Sequence, residues 1–348
     1  MSVSAATFPT QKTSATRSPR PVAIWLLVCC AMIFAMVVIG GITRLTESGL
    51  SITEWKPVTG ALPPLSDQAW QEEFQRYQQI PEFRERHSDM TLAEYKNIFW
   101  WEFVHRLWGR LIGTFYLLPF LFFVAKGYVR GGLAWRLGGI FVLGGLQGAL
   151  GWYMVASGLV DRVDVSPYRL TAHLGLAVLI YCATFWTALD LLRPPDARRV
   201  VDTRAVWLAC LVFVTMLAGG LVAGHDAGLI YNTFPLMDGR YFPAGYFDVA
   251  PWWANPFANP IAVQFDHRLL GEATVILALV YWWRARRDAI GASVSFVAAM
   301  AVVQVALGIS TLLLVVPIPL AAVHQAGAVT LLTLAILAAH AGRRPARA

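Results

Sequence analysis

Charge is what this chain has least of. Asp, Glu, Lys and Arg make up 14% of its 348 residues, against about 25% in soluble domains. Apolar residues make up 57%, above the roughly 45–50% of soluble domains. A water-surrounded globule is therefore excluded. Cysteine is scarce too. Cys29, Cys30, Cys182 and Cys210 all fall inside apolar runs, so an exported disulfide framework is not expected and small buried hydrophobes are. The first twenty residues contain no acid and are rich in Ser, Thr and Arg. That composition is weakly like a transit peptide, and the reading adopted is a disordered cytoplasmic tail over 1–20. No cleavable signal is expected, because the run at 21–41 is long enough to span a membrane.

What the chain does have is long apolar runs. A spanning helix needs roughly 20 mainly apolar residues. Eight stretches qualify: 21–41, 103–125, 136–156, 170–189, 205–223, 267–283, 291–315 and 320–340. Sixteen of the 28 basic residues fall on one side if the N-terminus is inside, in short segments at helix ends such as Lys126–Arg136 and Arg284–Arg287. The positive-inside rule then puts both termini in the cytoplasm. The net charge of +7 reflects this bias and gives no reason to expect nucleic acid as a partner.

The chain is also written twice. "GGITRLTESGL" (40–50) aligns with "GGLVAGHDAGL" (219–229), and "FVHRLWGR" (103–110) with "FDHRLLGE" (265–272). "LGGLQGALG" (143–151) aligns loosely with "AMAVVQVALG" (299–308), pairing Gln147 with Gln304, and "TAHLGLAV" (171–178) with "AVHQAGAV" (322–329). Four matches in the same order predict duplication. The expected fold is an all-α polytopic membrane protein, with eight transmembrane helices as two repeat-related four-helix bundles. The bundles span 21–192 and 205–340, with outer loops at 42–100 and 224–266, and are parallel repeats about an axis along the membrane normal. The first loop carries a polar stretch of helical period near 66–96, including Trp70, Phe74 and Tyr77. Both loops are expected to cap their bundles.

Four of the seven histidines stand at repeat-equivalent positions: His105 with His267, and His173 with His324. Each begins a helix that enters from outside, so all four share one depth near the outer leaflet. In each bundle two imidazoles would face each other. Such bundles place metal and cofactor sites between facing helices, and haem iron takes axial His ligands. Gly109, Ala177, Gly271 and Ala328 follow four residues after each His. Residues four apart share a helix face, so small side chains there would leave a slot for a flat macrocycle. Arg106 and Arg268 follow the first His of each pair, where a guanidinium can clamp a propionate. A single membrane His is often only a polar residue bonding across helices; four in register point to ligation. Zinc prefers four N, S or O ligands, which two His per bundle do not supply.

One position breaks the repeat: Glu102 precedes His105 by three, whereas Gln264 precedes His267. An acid at membrane depth suits proton transfer, and Gln does not. One site is therefore expected to react and the other to carry electrons. The competing assignment is that Glu102 only pairs with Arg106. His225 and Asp226 align with Thr46 and Glu47, near Arg44, and are expected to structure the loops or contact propionates. His87 is expected to be solvated, and His340 to close the last helix structurally. Trp100–Trp101 and Trp252–Trp253 read as interfacial belts.

"GGITRLTESGLSITEWKPVTGALPP", "EFVHRLWGR", "TAHLGL", "FDHRLLGE" and "VHQAGA" together resemble the haem A synthase family, over about residues 25–340. The resemblance implies an enzyme of the bacterial inner membrane, in the cysteine-free proteobacterial and mitochondrial type. It would oxidise the C8 methyl of haem O to a formyl group through successive hydroxylations with water as oxygen source. It implies His105 and His173 around the substrate haem, His267 and His324 around a haem b cofactor, and Glu102 as the essential acid. The implied partners are haem O, the enzyme supplying it, an unidentified electron acceptor and lipid; a homo-oligomer is compatible. Two other classes stay open from the residues alone. A bis-His b-type cytochrome exchanging electrons with quinol would want the same pairs without the Glu102 asymmetry. A parallel-repeat transporter would put its polar residues near the midplane instead.

Overall fold

The computed structural model describes residues 18–56, 59–159, 163–193, 201–288 and 290–341. Most of the tail expected over 1–20 lies outside the described residues, as do the basic residues at 198, 199, 343, 344 and 347. Eleven α-helices are described: α1 (Arg20–Leu45), α2 (Asp67–Tyr77), α3 (Pro81–Arg86), α4 (Leu92–Ala125), α5 (Gly131–Gly158), α6 (Pro167–Leu192), α7 (Thr203–Gly224), α8 (Asn255–Ala258), α9 (Pro260–Ala285), α10 (Gly291–Leu313) and α11 (Ile318–His340). No strand occurs among the described residues.

Local chemistry explains where the helices start. Thr91 and Glu94 form a reciprocal cap on α4, and Ser66, Asp202 and Asn259 accept backbone N–H groups at the starts of α2, α7 and α9. These contacts satisfy donors that a first helical turn leaves unpaired. Proline occupies the first turn of α1, α3, α6, α9 and α11, where its missing N–H costs nothing.

Seven of the long helices are long and apolar enough to cross a membrane: α1, α4, α5, α6, α7, α10 and α11. The eighth, α9, has the length, but Asp266, Arg268 and Glu272 crowd its first half. The protein is thus an all-α polytopic membrane protein. Neighbours pack as α1–α4–α5–α6 and α7–α9–α10–α11, each closing on itself, with α1, α6, α7 and α11 joining the two groups. At this seam Gly224 lies against Pro167, where a Cβ would stand 2.6 Å from the proline Cα. Outward faces are greasy: Leu118 is 61% exposed, Val142 61% and Trp207 75%. Lipid contact accounts for exposure that water would penalise.

Between α1 and α4, the segment over 66–96 folds as α2, α3 and the first turn of α4. Trp70, Phe74 and Tyr77 turn inward onto Tyr95, Phe99 and Phe103, forming a buried aromatic core separate from that of the bundle. The corresponding stretch after α7 is irregular. Asn255 is fully buried and ties Val249 and Trp252 to the start of α8.

Candidate functional site

The four histidines lie on four different helices, and each ring rests on a glycine of a neighbouring helix. His105 of α4 meets Gly40 of α1, and His173 of α6 meets Gly151 of α5. In the second half His267 of α9 meets Gly219 of α7, and His324 of α11 meets Gly308 of α10. A Cβ at these glycines would stand 3.0, 2.9, 3.0 and 2.8 Å from the respective ring Cε1 atoms. Each imidazole is therefore seated against a bare stretch of helix backbone that any larger residue would fill. Gly40 and Gly219 are repeat equivalents, as are Gly151 and Gly308. Sequence reasoning missed these seats, although all four glycines stand in the repeated blocks.

Polar contacts repeat as well. Gln147 Nε2 donates to the His173 carbonyl at 2.9 Å, and Gln304 Nε2 donates to the His324 carbonyl at 2.9 Å. Gln147 also lies 3.3 Å from His173 Nε2, and Gln304 lies 3.1 Å from His324 Nδ1. His267 Nδ1 lies 3.1 Å from the Thr215 carbonyl. A carbonyl only accepts, so Nδ1 carries the proton there and Nε2 keeps its lone pair.

The His267 and His324 rings stand 6.5 Å apart, centroid to centroid, at 84°. Two axial imidazoles bound through nitrogens about 2 Å from one iron would place their ring centres about 6 Å apart. The separation fits a single ion between them. In the first half His105 Nδ1 and His173 Nδ1 are buried without a protein partner. Among the described residues no group of three or more His, Cys, Asp or Glu is arranged to hold a metal. A two-imidazole donor set suits a metal that brings its other ligands with it, as a porphyrin iron does. The residues present therefore fit haem.

The small residues one turn after each His differ in surroundings. Nothing lies within 4 Å of a Cβ added at Gly271, whereas Met36 Cε lies 3.3 Å from one at Gly109.

The loops close over the histidines through two arginines. Arg106 donates to the carbonyls of Ile52 and Glu54, and Arg268 to those of Tyr231 and Thr233. These are equivalent positions, so the repeat alignment continues through the loops. Both guanidiniums spend their terminal nitrogens on the loop backbone, while Arg268 Nε is buried without a partner.

Glu102 is 3% exposed. Its carboxylate accepts from Arg106 at 2.6 Å, Ser51 Oγ at 2.8 Å and the Ile52 N–H at 2.7 Å. The pairing with Arg106 is thus present, joined by a tie to the loop that spacing in sequence does not reveal. At Gln264 the equivalent amide donates to the Tyr231 carbonyl at 3.2 Å, and its oxygen is buried without a partner.

The lesser histidines differ from expectation in one case. His87 is not simply solvated: its Nδ1 lies 2.8 Å from the Tyr77 hydroxyl, which also donates to Glu82 at 3.2 Å. Glu82 is 4% exposed. Its carboxyl is raised to about 8, first by burial against the opposing Tyr77 hydrogen bond, and then by the charges of Glu102, Glu47 and Asp164. Folding α2 and α3 back onto α4 buries what the charged local sequence suggested was exposed. Asp226 pairs with Arg44 at 2.8 Å, linking the two halves. Asp226 and its equivalent Glu47 are both left-handed, with φ 50° and 51°. His225 contacts the Phe257 carbonyl at 2.9 Å, and His340 contacts Asp190 at 3.2 Å.

These features define a class: a helical membrane protein with four histidines at matching positions of its sequence repeats, each seated on a helix glycine. Residues 23–336 match the COX15-CtaA family model, described as cytochrome oxidase assembly protein, and the chain belongs to that family. It is similar to the haem A synthase of Nitrosospira multiformis, 50% identical over 352 residues covering 98% of this chain and 99% of the relative. The haem A synthase of Rhodospirillum centenum is 51% identical, over 99% of this chain and 94% of its own. That of Parvibaculum lavamentivorans is 50% identical, over 92% and 93%.

Proposed function

We propose that this chain is a haem A synthase, an oxidoreductase that converts haem O to haem A by oxidising a methyl substituent to a formyl group through successive hydroxylations. The observation that carries this reading is the duplicated histidine pattern in which Glu102 stands three residues before His105 and Gln264 three before His267. Near full-length similarity to haem A synthases agrees with it.

In this reading 21–192 is the substrate half and 205–340 the cofactor half. His105 and His173 hold the iron of haem O. His267 and His324 hold a haem b, which would supply one-electron redox chemistry beside the substrate. The seats at Gly40, Gly151, Gly219 and Gly308 orient the rings, and Gln147 and Gln304 fasten the helices that carry them. Arg106 and Arg268 hold the loops over the pockets. Glu102 provides a fixed negative charge beside the substrate, held by three donors so that no reorganisation is needed as positive charge develops on the macrocycle edge. Proton acceptance at Oε2 would require exchange of the Ser51 contact. Both termini lie in the cytoplasm of a bacterial inner membrane in this reading, with the pockets toward the periplasmic face.

Incubating the purified protein with haem O and an electron acceptor, followed by chromatography of extracted pigments, tests the assignment. Hydroxylated and formyl haems are expected. An unchanged haem O pool under all redox conditions would favour the b-type cytochrome instead.

A further inference from the structure

The oxidation just proposed removes four electrons, and one cavity outside the imidazole pairs is built to receive them. It measures about 290 Å³ and is lined by Met237, Tyr241, Phe242, Phe265, Arg268 and Glu272, among others. Phe265, Arg268, Leu269 and Glu272 recur at three- and four-residue spacing, so they form one face of α9. His267 lies on the opposite face with Thr274, which is 5% exposed. The cavity and the imidazole pair thus flank the same helix. Leu269 is 54% and Phe242 50% exposed, so the opening faces outward, where lipid would surround the helices.

The cavity is not a by-product of the repeat. In the first half the corresponding face carries Phe103, Arg106, Leu107 and Arg110. There Phe103 is 6% exposed and packed beneath the α2–α3 cap, and Arg110 donates to the Lys56 carbonyl. An acid replaces that arginine only in the second half, where the face is open. An acid at membrane depth is costly to keep and marks function by default.

The lining selects its ligand. Phe242 and Phe265, with centroids 5.3 Å apart, and Tyr241 offer aromatic surface to a flat ring. Arg268 lines the cavity, and its guanidinium keeps N–H donors beyond those given to the Tyr231 and Thr233 carbonyls, which can reach a carbonyl oxygen. Glu272, one turn on, can pass protons. An anionic headgroup would find that carboxylate beside the arginine and be repelled by it, whereas a neutral dicarbonyl ring uses both.

We propose that this cavity binds a membrane-soluble quinone, the electron acceptor of the reaction; the proposal rests on the haem A synthase reading. The balance is R–CH3 + H2O + 2 quinone → R–CHO + 2 quinol. Each two-electron step reduces one quinone, the formyl oxygen comes from water, and the four hydrogens lost end on quinone oxygens.

The test uses full-length protein in nanodiscs and a short-chain azido-benzoquinone as photolabel, mapped by peptide mass spectrometry. Labelling of the 235–242 and 265–272 segments is expected, competed by the unlabelled quinone. Leu269→Trp, which fills the cavity, should weaken labelling at least tenfold while the haem spectrum is retained. The same variant should keep ferricyanide-coupled oxidation of haem O and lose quinone-coupled oxidation. Labelling elsewhere, labelling unaffected by L269W, or a phospholipid retained in the cavity against excess quinone would overturn the proposal. Failure to oxidise haem O with any acceptor would count against the functional reading, and labelling would still decide the cavity.

Discussion

Replacing Gly308 by alanine isolates the geometry on which the histidine pairs depend. The added Cβ would stand 2.8 Å from His324 Cε1, whereas ordinary contact begins at 3.4 Å, so the ring must yield by about 0.6 Å. A ring pushed away from Gly308 toward His267 would enter the space a haem would occupy. Overpacking of this size costs about 1–3 kcal/mol, which corresponds to roughly 5- to 150-fold weaker haem binding at about 1.4 kcal/mol per decade. The helix itself should not suffer, because alanine is about 1 kcal/mol better than glycine in a helix interior. Gly145→Ala on α5 is the control, since nothing lies within 4 Å of its added Cβ. Titration of apoprotein with haem, followed at the Soret band, measures the affinity, and thermal unfolding measures the fold. Weaker binding with unchanged or raised stability is expected for G308A alone. Wild-type affinity in G308A would refute the seat.

Glu102→Gln copies the second half into the first. It should keep haem at His267 and His324 and abolish oxidation of haem O, and it should also destabilise by about 3–5 kcal/mol, because Arg106 loses a buried partner; pigment analysis beside a melting curve separates the two effects. Glu82 is raised to about 8, so the fold holds its proton at neutral pH while an unfolded chain, near 4.5, does not. Stability of the α2–α3 cap therefore falls as pH climbs between those values. Protection factors in 67–86, corrected for base-catalysed intrinsic exchange, should fall from pH 6 to pH 9, and Glu82→Gln should flatten that response. Asp226→Asn removes a pair whose side chains are 18% and 47% exposed, so it should cost less than about 1 kcal/mol by denaturant titration.

Much of the architecture was legible because duplication constrains several levels at once. Aligning "FVHRLWGR" with "FDHRLLGE" predicts His105 and His267 at the same helical position, and the parity of four helices per half predicts all four histidines on one side. Hydropathy was weaker at α9, whose Asp266, Arg268 and Glu272 lower its apolar score although the helix runs the full length of its neighbours. Contacts between distant segments stayed hidden. Ser51 and Ile52 reach Glu102 across about fifty residues, and no local pattern encodes that approach. The glycine seats were in view within the repeats, but a helix glycine shows its purpose only when the neighbouring ring is known. His87 was misjudged for the same reason: "RERHSD" reads as solvated until α2 returns with Tyr77.

Two imidazole pairs serving two different haems is the central claim, and spectra of single His variants address it most directly. His324→Ala or His267→Ala should strip the resident haem b signal from the purified protein yet leave uptake of added haem O. His105→Ala or His173→Ala should do the reverse, keeping haem b and losing haem O. A resident spectrum that survives all four substitutions, or one lost equally in every variant with the fold intact, would contradict the assignment.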